Sequence, residues 1–395
     1  MKVLLVNLAK MIGHNGGMQK VACLMSNELA KRGGQVSLVY SDGKDGAFFF
    51  PLDKNIPTYD LRRYQGKTLR FPLRLKIKRE WLRMFDKRKA RNVNDEFEIA
   101  FCLPHLREII EGVNPDIIIS FQPLASRLLL CELKTEIPVI TMSHGDPEDY
   151  FHTYPKGELP ALEKSAVCQV LMPSYERTLR NHFPHVRTAV IGNAIPQYEK
   201  PADLAADKKT HKIIFTGRLA KSHKRPHLLI EAFADLAKDF PDWNVELWGA
   251  ADGKAYYKEL QLLIRKNHLE KQVFLCGATN DVESVLREGD IFAFPSAYEG
   301  FGMSLAEGMS MGLPAIGYKN CAGVNELIRD DVDGFLCEDG VEDFRNHLRA
   351  LMKDRELRIR MGQAARKAMA AYAPEKIWDA WEHVITETIK NRSQG

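Results

Sequence analysis

Short, almost unbroken apolar runs alternate along this chain with longer stretches whose apolar positions recur every three or four residues. The runs are Val3–Asn7, Val36–Tyr40, Asp116–Phe121, Val139–Ser143, Cys168–Met172 and Ala189–Ile191 in the first half. Lys212–Thr216, Asn244–Trp248, Gln272–Leu275, Ile291–Phe294, Ala315–Tyr318 and Gly334–Cys337 follow in the second. Runs of this kind predict strands covered on both faces, and the helical patterns between them, such as Met18–Arg32 and Pro226–Lys238, predict parallel sheets with helical crossovers. The charged, alanine-rich segment Gln197–Lys209 separates the two sets and reads as a linker. The expectation is an α/β chain of two doubly wound, Rossmann-like domains, residues 1–196 and 205–373, with ligands outside the carboxyl ends of the strands in a central cleft that the domains face. A last amphipathic helix, Pro374–Arg392, carries Ile377, Trp378, Trp381, Ile385 and Ile389 on one stripe, and Pro374 suits its first turn.

A length of 395 residues with 45% hydrophobic content allows substantial cores and argues against disorder. The seven cysteines, at positions 23, 102, 131, 168, 276, 321 and 337, have neither CxxC pairs nor another ligand spacing, which points to a reduced, cytoplasmic chain without a structural metal. The chain opens directly on a strand pattern rather than a signal peptide, and no run approaches the roughly 20 apolar residues of a membrane span.

The densest chemistry lies in Asp290–Pro314, DIFAFPSAYEGFGMSLAEGMSMGLP. A buried strand ends at Pro295 and Ser296, Gly300 and Gly302 let backbone approach a ligand, and a helix starts near Met303. The N–H groups of Phe301, Gly302 and Met303, at the positive end of that helix, favour a phosphate or a sugar hydroxyl. Glu299 stands at the loop mouth and Glu307 a turn inside the helix. Each ionised carboxylate can accept from two vicinal hydroxyls, which ribose and hexose both present. Two solvated surface glutamates would fit the same letters, but not the glycines around them.

A second cluster follows the first strand of the second half: Thr216, Gly217, Arg218, Leu219, then Lys224, Arg225 and Pro226 opening a helix. An arginine fork and a lysine point charge suit a diphosphate whose charge grows as a sugar bond breaks. Lys221 competes with Lys224 for that role. In the first half, Gly13, Gly16 and Gly17 precede a helix, but the spacing is not GxGxxG. With an acid at Asp42 after the second strand, a nicotinamide-dependent oxidoreductase remains an alternative. His144 ends the strand Val139–Ser143 and is followed by Gly145, Asp146 and Pro147, a rim position where site residues gather. Asp331-Val332-Asp333 has the spacing of a metal-binding DxD, yet it falls in a turn between a helix and a strand, where polar residues are expected.

The segment from Glu299 to Glu307 resembles the E-x7-E signature of the retaining GT-B glycosyltransferases of family 4, of the kind that build bacterial surface polysaccharide and lipopolysaccharide. The resemblance runs over nearly the whole chain and is most specific between Lys212 and Cys337. It implies the GT-B fold, with the last helix, 374–392, crossing back onto the first domain. Glu299 would face the transferred sugar, Glu307 would hold the nucleotide ribose, and Arg218 and Lys224 would balance the leaving diphosphate. Lys224 is followed by Arg225 and Pro226 where the family has glycine. Gly16, Gly17, Gly217 and the loop after Leu275, with Gly277 and Ala278, would line the donor. His144 would lie near the sugar's C6 side, and Asn193 matches the family's hinge motif only in part, since Ala194 replaces glycine.

Catalysis would need no cofactor and no metal; the substrates would be a nucleoside-diphosphate sugar, by default a UDP-sugar, and a glycan or lipid-linked glycan hydroxyl. A GT-B nucleotide-sugar epimerase or hydrolase and a non-catalytic sugar-nucleotide binder share the same fold and remain alternatives.

Residues 62–91 stand apart in composition. They hold thirteen Lys or Arg against Glu80 and Asp86, in a chain whose formal net charge is +4. Leu69, Phe71, Leu73, Leu75, Ile77, Trp81, Leu82 and Phe85 interleave with them. A basic amphipathic segment of this kind suits an anionic membrane surface, and with it a peripheral location at the inner face of the cell membrane. A solvated helix face is the plain alternative; nucleic acid is not expected, because no nucleic-acid module accompanies the charge.

Overall fold

The computed structural model describes residues 1–392. The chain divides into two compact units, Met1–Gly192 together with the C-terminal helix from Ile377, and Asn193–Lys376.

In the first unit a seven-stranded sheet has the order β3-β2-β1-β6-β7-β8-β9, every neighbour parallel. Its strands are β1 (Lys2–Val6), β2 (Gln35–Tyr40), β3 (Thr58–Asp60), β6 (Ile117–Ser120), β7 (Val139–Met142), β8 (Val167–Val170) and β9 (Thr188–Val190). Between β3 and β6 lie a small antiparallel hairpin, β4 (Arg63–Tyr64) and β5 (Lys67–Thr68), and two helices, α2 (Leu73–Arg83) and α3 (Lys87–Val113). The first helix, α1 (Gly17–Lys31), follows β1.

β1, β6, β7 and β8 are buried almost throughout, which is why their sequences are continuous apolar runs rather than alternating ones. β3 was not expected, because Thr58-Tyr59-Asp60 is too short and polar to show a period. The C-terminal helix Pro374–Arg392 buries Ile377, Trp378, Trp381 and Ile385, and Arg32 of α1 pairs with Asp379 and Glu382 on it at 2.7 and 2.8 Å.

In the second unit the six-stranded parallel sheet has the order β12-β11-β10-β13-β14-β15. Its strands are β10 (His211–Thr216), β11 (Trp243–Trp248), β12 (Val273–Gly277), β13 (Ile291–Phe294), β14 (Ala315–Tyr318) and β15 (Gly334–Cys337). The chain winds outward from β10 one way and from β13 the other, so the topological switch point lies between those two strands.

Segment 197–209 is not a free linker. Ala202 and Leu204 are buried, Ala202 N–H donates to Met311 O at 2.9 Å, and Gln197 donates to Met369 O, so the segment packs on the second unit through its apolar side chains.

Candidate functional site

At the switch point the loops after β10 and β13 are tied together by backbone and side chain. Ala297 N–H donates to His223 O at 2.7 Å. Arg225, in left-handed backbone at φ +46°, donates to Pro295 O at 3.0 Å, pairs with Asp339 at 2.8 Å and lies over the Tyr318 ring. It takes the place of the expected glycine by accepting that backbone conformation and anchoring itself three ways.

With the loop so fixed, Lys224 is delivered to Glu299: Nζ lies 2.6 Å from Oε1 and 4.6 Å from the centre of the Phe294 ring. Their side chains are only 21% and 11% exposed, so this is not a solvated surface pair. Lys221, the rival in sequence, pairs instead with exposed Glu259. Arg218 is exposed and carries no ion pair among the described residues. Thr216 Oγ1 and Ser296 Oγ, at the carboxyl ends of β10 and β13, are buried without a hydrogen-bond partner.

Beside them a glycine directly follows β10 and β11 and another closes β12. Gly217 N–H donates to Trp248 O at 2.9 Å and Gly249 N–H to Gly277 O at 2.7 Å. Gly249 has φ +150°, and a Cβ there would stand 1.8 Å from Gly217 O. The chain can therefore bare its backbone along this edge only with glycine at position 249, a residue not singled out from sequence because a lone glycine after an apolar run carries no spacing signal. Gly277, expected in a loop, is the last residue of β12 with φ +77° and open space around it.

The helix Met303–Ser310 starts from Gly302, left-handed at φ +86°, with no side chain capping its N–H groups. Phe301 does not present its ring outward; it is 3% exposed and packs edge-on against Tyr372. Gly300 and Met303 stay half-buried at the helix mouth. Glu307 is 6% exposed on the same helix, which lies close on β13 because Gly308 faces Phe292, where a Cβ would be 2.5 Å from the ring.

In the first unit Gly16 and Gly17 are exposed at the N-terminus of α1, with Gly16 as a cap that offers no side-chain acceptor. The carboxylate of Asp42 accepts from Met11 and Ile12 N–H at 3.1 and 2.8 Å, so it braces the glycine loop from behind. Its other oxygen, Oδ1, is buried without a hydrogen-bond partner. His144 lies two residues beyond β7 and stacks on Phe121; its Nε2 is buried without a partner, and burial lowers its pKa to about 4. Asp146 accepts from Glu148 N–H and so shapes the following turn.

The DxD-like turn has local duties. Asp333 is fully buried, accepting from Arg329 N–H at 2.7 Å and pairing with its guanidinium at 2.6 Å, and Asp331 is the left-handed turn residue at φ +59°. Cys337, Asp343 and His347 place potential ligand atoms within 4.8 Å of one another. Their polar atoms serve the start of one helix: Asp343 accepts from Glu338 N–H, His347 Nδ1 lies 3.0 Å from Asp343 O, and burial pushes the Cys337 thiol up.

Two parallel sheets of nucleotide-binding type, the second carrying a lysine–glutamate pair and an uncapped helix at its switch point, define a GT-B protein. The family model "Glycosyl transferases group 1" matches residues 196–368 and "Glycosyltransferase Family 4" matches residues 15–196. The chain belongs to the family 4 glycosyltransferases. It is 27% identical to an uncharacterized glycosyltransferase of Haemophilus influenzae over 95% of this chain and 97% of that one. It is 30% identical, over 32% of each chain, to the Escherichia coli UDP-Gal:alpha-D-GlcNAc-diphosphoundecaprenol alpha-1,3-galactosyltransferase. Its fold is similar to that of Anabaena Alr3699/HepE, solved in complex with UDP, at a TM-score of 0.77 and 18% identity over 98% of this chain and all of that one.

Proposed function

We propose that this glycosyltransferase moves a hexose-type sugar, with retention of anomeric configuration and without a metal, from a UDP-sugar to a hydroxyl of a glycan or lipid-linked glycan. The observation that carries the reading is the Lys224–Glu299 pair held at the β10/β13 switch point beside the bare backbone of Gly217, Gly249 and Gly277. Arg218 and Lys224 face the diphosphate, Glu299 the sugar and Glu307 the ribose hydroxyls, and Gly300, Phe301, Gly302 and Met303 supply backbone.

The bond from C1 to the diphosphate oxygen breaks as the acceptor oxygen bonds to C1 from the same face. The acceptor's proton passes to the departing diphosphate, whose charge the two cations and the helix dipole offset. UDP is favoured because the Escherichia coli relative's name gives a UDP-sugar donor and the Anabaena structure was solved with UDP. The diphosphoundecaprenol acceptor in the former name favours a lipid-linked acceptor, and with it work at the inner face of the cell membrane through the basic segment 62–91.

The test is a thermal-shift panel of nucleoside diphosphates, in which UDP raises the unfolding midpoint most, by mass action. Product analysis with a UDP-sugar and a chelator then follows. UDP release that depends on acceptor supports transfer. Donor conversion without acceptor would make the protein an epimerase or hydrolase, an intact donor would make it a binder, and loss of activity in chelator would overturn the metal-free mechanism.

A further inference from the structure

The basic segment 62–91 is not one amphipathic helix. It folds as the hairpin β4–β5, the helix α2 and the first turn of α3, and these pieces use their charges differently. Arg62 pairs with Glu98, Arg63 with Asp45, Arg83 with Glu80 and Lys89 with Asp86. Arg79 lies over Phe71 and bonds Glu80 and Asn94. Arg88 donates to Phe151 O, and Arg91 lies over the Tyr154 ring. Lys67, Arg70, Arg74, Lys76, Lys78 and Lys87 are exposed, and no ion pair is made by them among the described residues.

The apolar residues divide just as sharply. Leu75 and Leu82 are half-buried on the side of α2 that packs on α3, and Phe71 meets Phe97 of α3. Leu73, Ile77 and Trp81 recur every four residues on the opposite side, and Met84 and Phe85 continue the stripe past the helix end. These five are 71, 63, 58, 71 and 73% exposed, and α2 has no buried residue at all. The rings of Trp81 and Phe85 lie against each other, centroids 5.3 Å apart.

An uncovered row of large apolar side chains needs a partner. A second copy would bring the six unpaired cations against their own kind. Nucleic acid would satisfy those cations and leave the row in water. An anionic lipid surface satisfies both, with charge at headgroup level and apolar side chains below it.

We propose that α2 lies flat in an anionic membrane surface, with Leu73, Ile77, Trp81, Met84 and Phe85 inserted among the acyl chains and Arg74, Lys76, Lys78 and Lys87 at the headgroups. This rests on reading segment 62–91 as membrane-facing and adds the element, its orientation and its insertion.

The test mixes the full chain with phosphatidylcholine vesicles, with and without phosphatidylglycerol, carrying brominated acyl chains. Trp81 is the exposed one of five tryptophans, so it reports insertion directly. The chain should sediment with the anionic vesicles only. Its tryptophan emission should be quenched by the brominated lipid, and Trp81→Phe should abolish the quench while leaving the unfolding midpoint unchanged. Ile77→Ser with Trp81→Ser should weaken partitioning on the order of tenfold or more.

Sedimentation without quenching would overturn insertion and leave a purely electrostatic membrane contact standing. No sedimentation would remove the membrane reading altogether. A concentration-dependent dimer that the double variant dissolves, with no vesicle binding, would assign the stripe to a second copy.

Discussion

Lys224 Nζ lies 2.6 Å from Glu299 Oε1, so the cation assigned to the leaving diphosphate and the carboxylate assigned to the sugar hold each other before any donor arrives. The pair sits in a largely enclosed place, and Phe294 beneath the ammonium limits where it can swing. On the proposed reading, an arriving diphosphate would compete with Glu299 for Lys224. Lys224→Ala should lower kcat/KM on the order of 10²–10³-fold, as loss of one preorganised charge does elsewhere, and Glu299→Ala should abolish transfer. Steady-state assay of acceptor-dependent UDP release checks both; near-wild-type rates in either variant would contradict the roles.

Glu307 is buried a turn into the Met303–Ser310 helix. Glu307→Ala should mainly weaken donor binding, raising KM for the UDP-sugar more than it lowers kcat. Titration calorimetry with UDP separates this from the Glu299 effect. Equal, small effects of the two substitutions would contradict a division of labour between them.

Gly249 and Gly277 look alike in sequence but not in space. Alanine at 249 meets the Gly217 carbonyl oxygen at 1.8 Å with backbone at φ +150°, whereas alanine at 277 meets nothing and bears only the strain of φ +77°. Gly277→Ala should cost about 1 kcal/mol, and Gly249→Ala about 3 kcal/mol or more. Denaturant unfolding of the two variants measures the difference directly.

Asp95 and Glu158 form a buried carboxyl pair in the first unit, both 3% exposed and sharing a hydrogen bond. Burial, and then its neighbour's charge, push Glu158 well above the carboxylate range. The fold thus keeps a proton that the unfolded chain releases, so stability falls as pH rises from the ordinary carboxylate range towards the raised value. Glu158→Gln should raise the unfolding midpoint at pH 8 more than at pH 5, flattening that decline. A parallel pH profile in the variant would show that the pair does not carry it.

The strands were legible because a strand covered on both faces must be apolar along its length: Ile291–Phe294, Ala315–Tyr318 and Gly334–Cys337 lie where the sequence puts them, and most others differ by a residue or two at an end. β3 escaped because an edge strand of three residues leaves no pattern. The long helix α3 escaped because its burial shifts along its length and no single stripe persists.

The amino-acid sequence alone determined the two parallel sheets and the family, and it located the motif holding Glu299, Glu307, Arg218 and Lys224, since local periodicity and residue spacing are properties of neighbours along the chain. Only the tertiary structure decided that Lys224 rather than Lys221 reaches Glu299, that Asp42 braces a loop, that Gly249 is irreplaceable beside Gly217, and that one stripe of α2 has nothing over it. Those are relations between residues far apart in sequence, and contact, unlike spacing, exists only once the chain has folded.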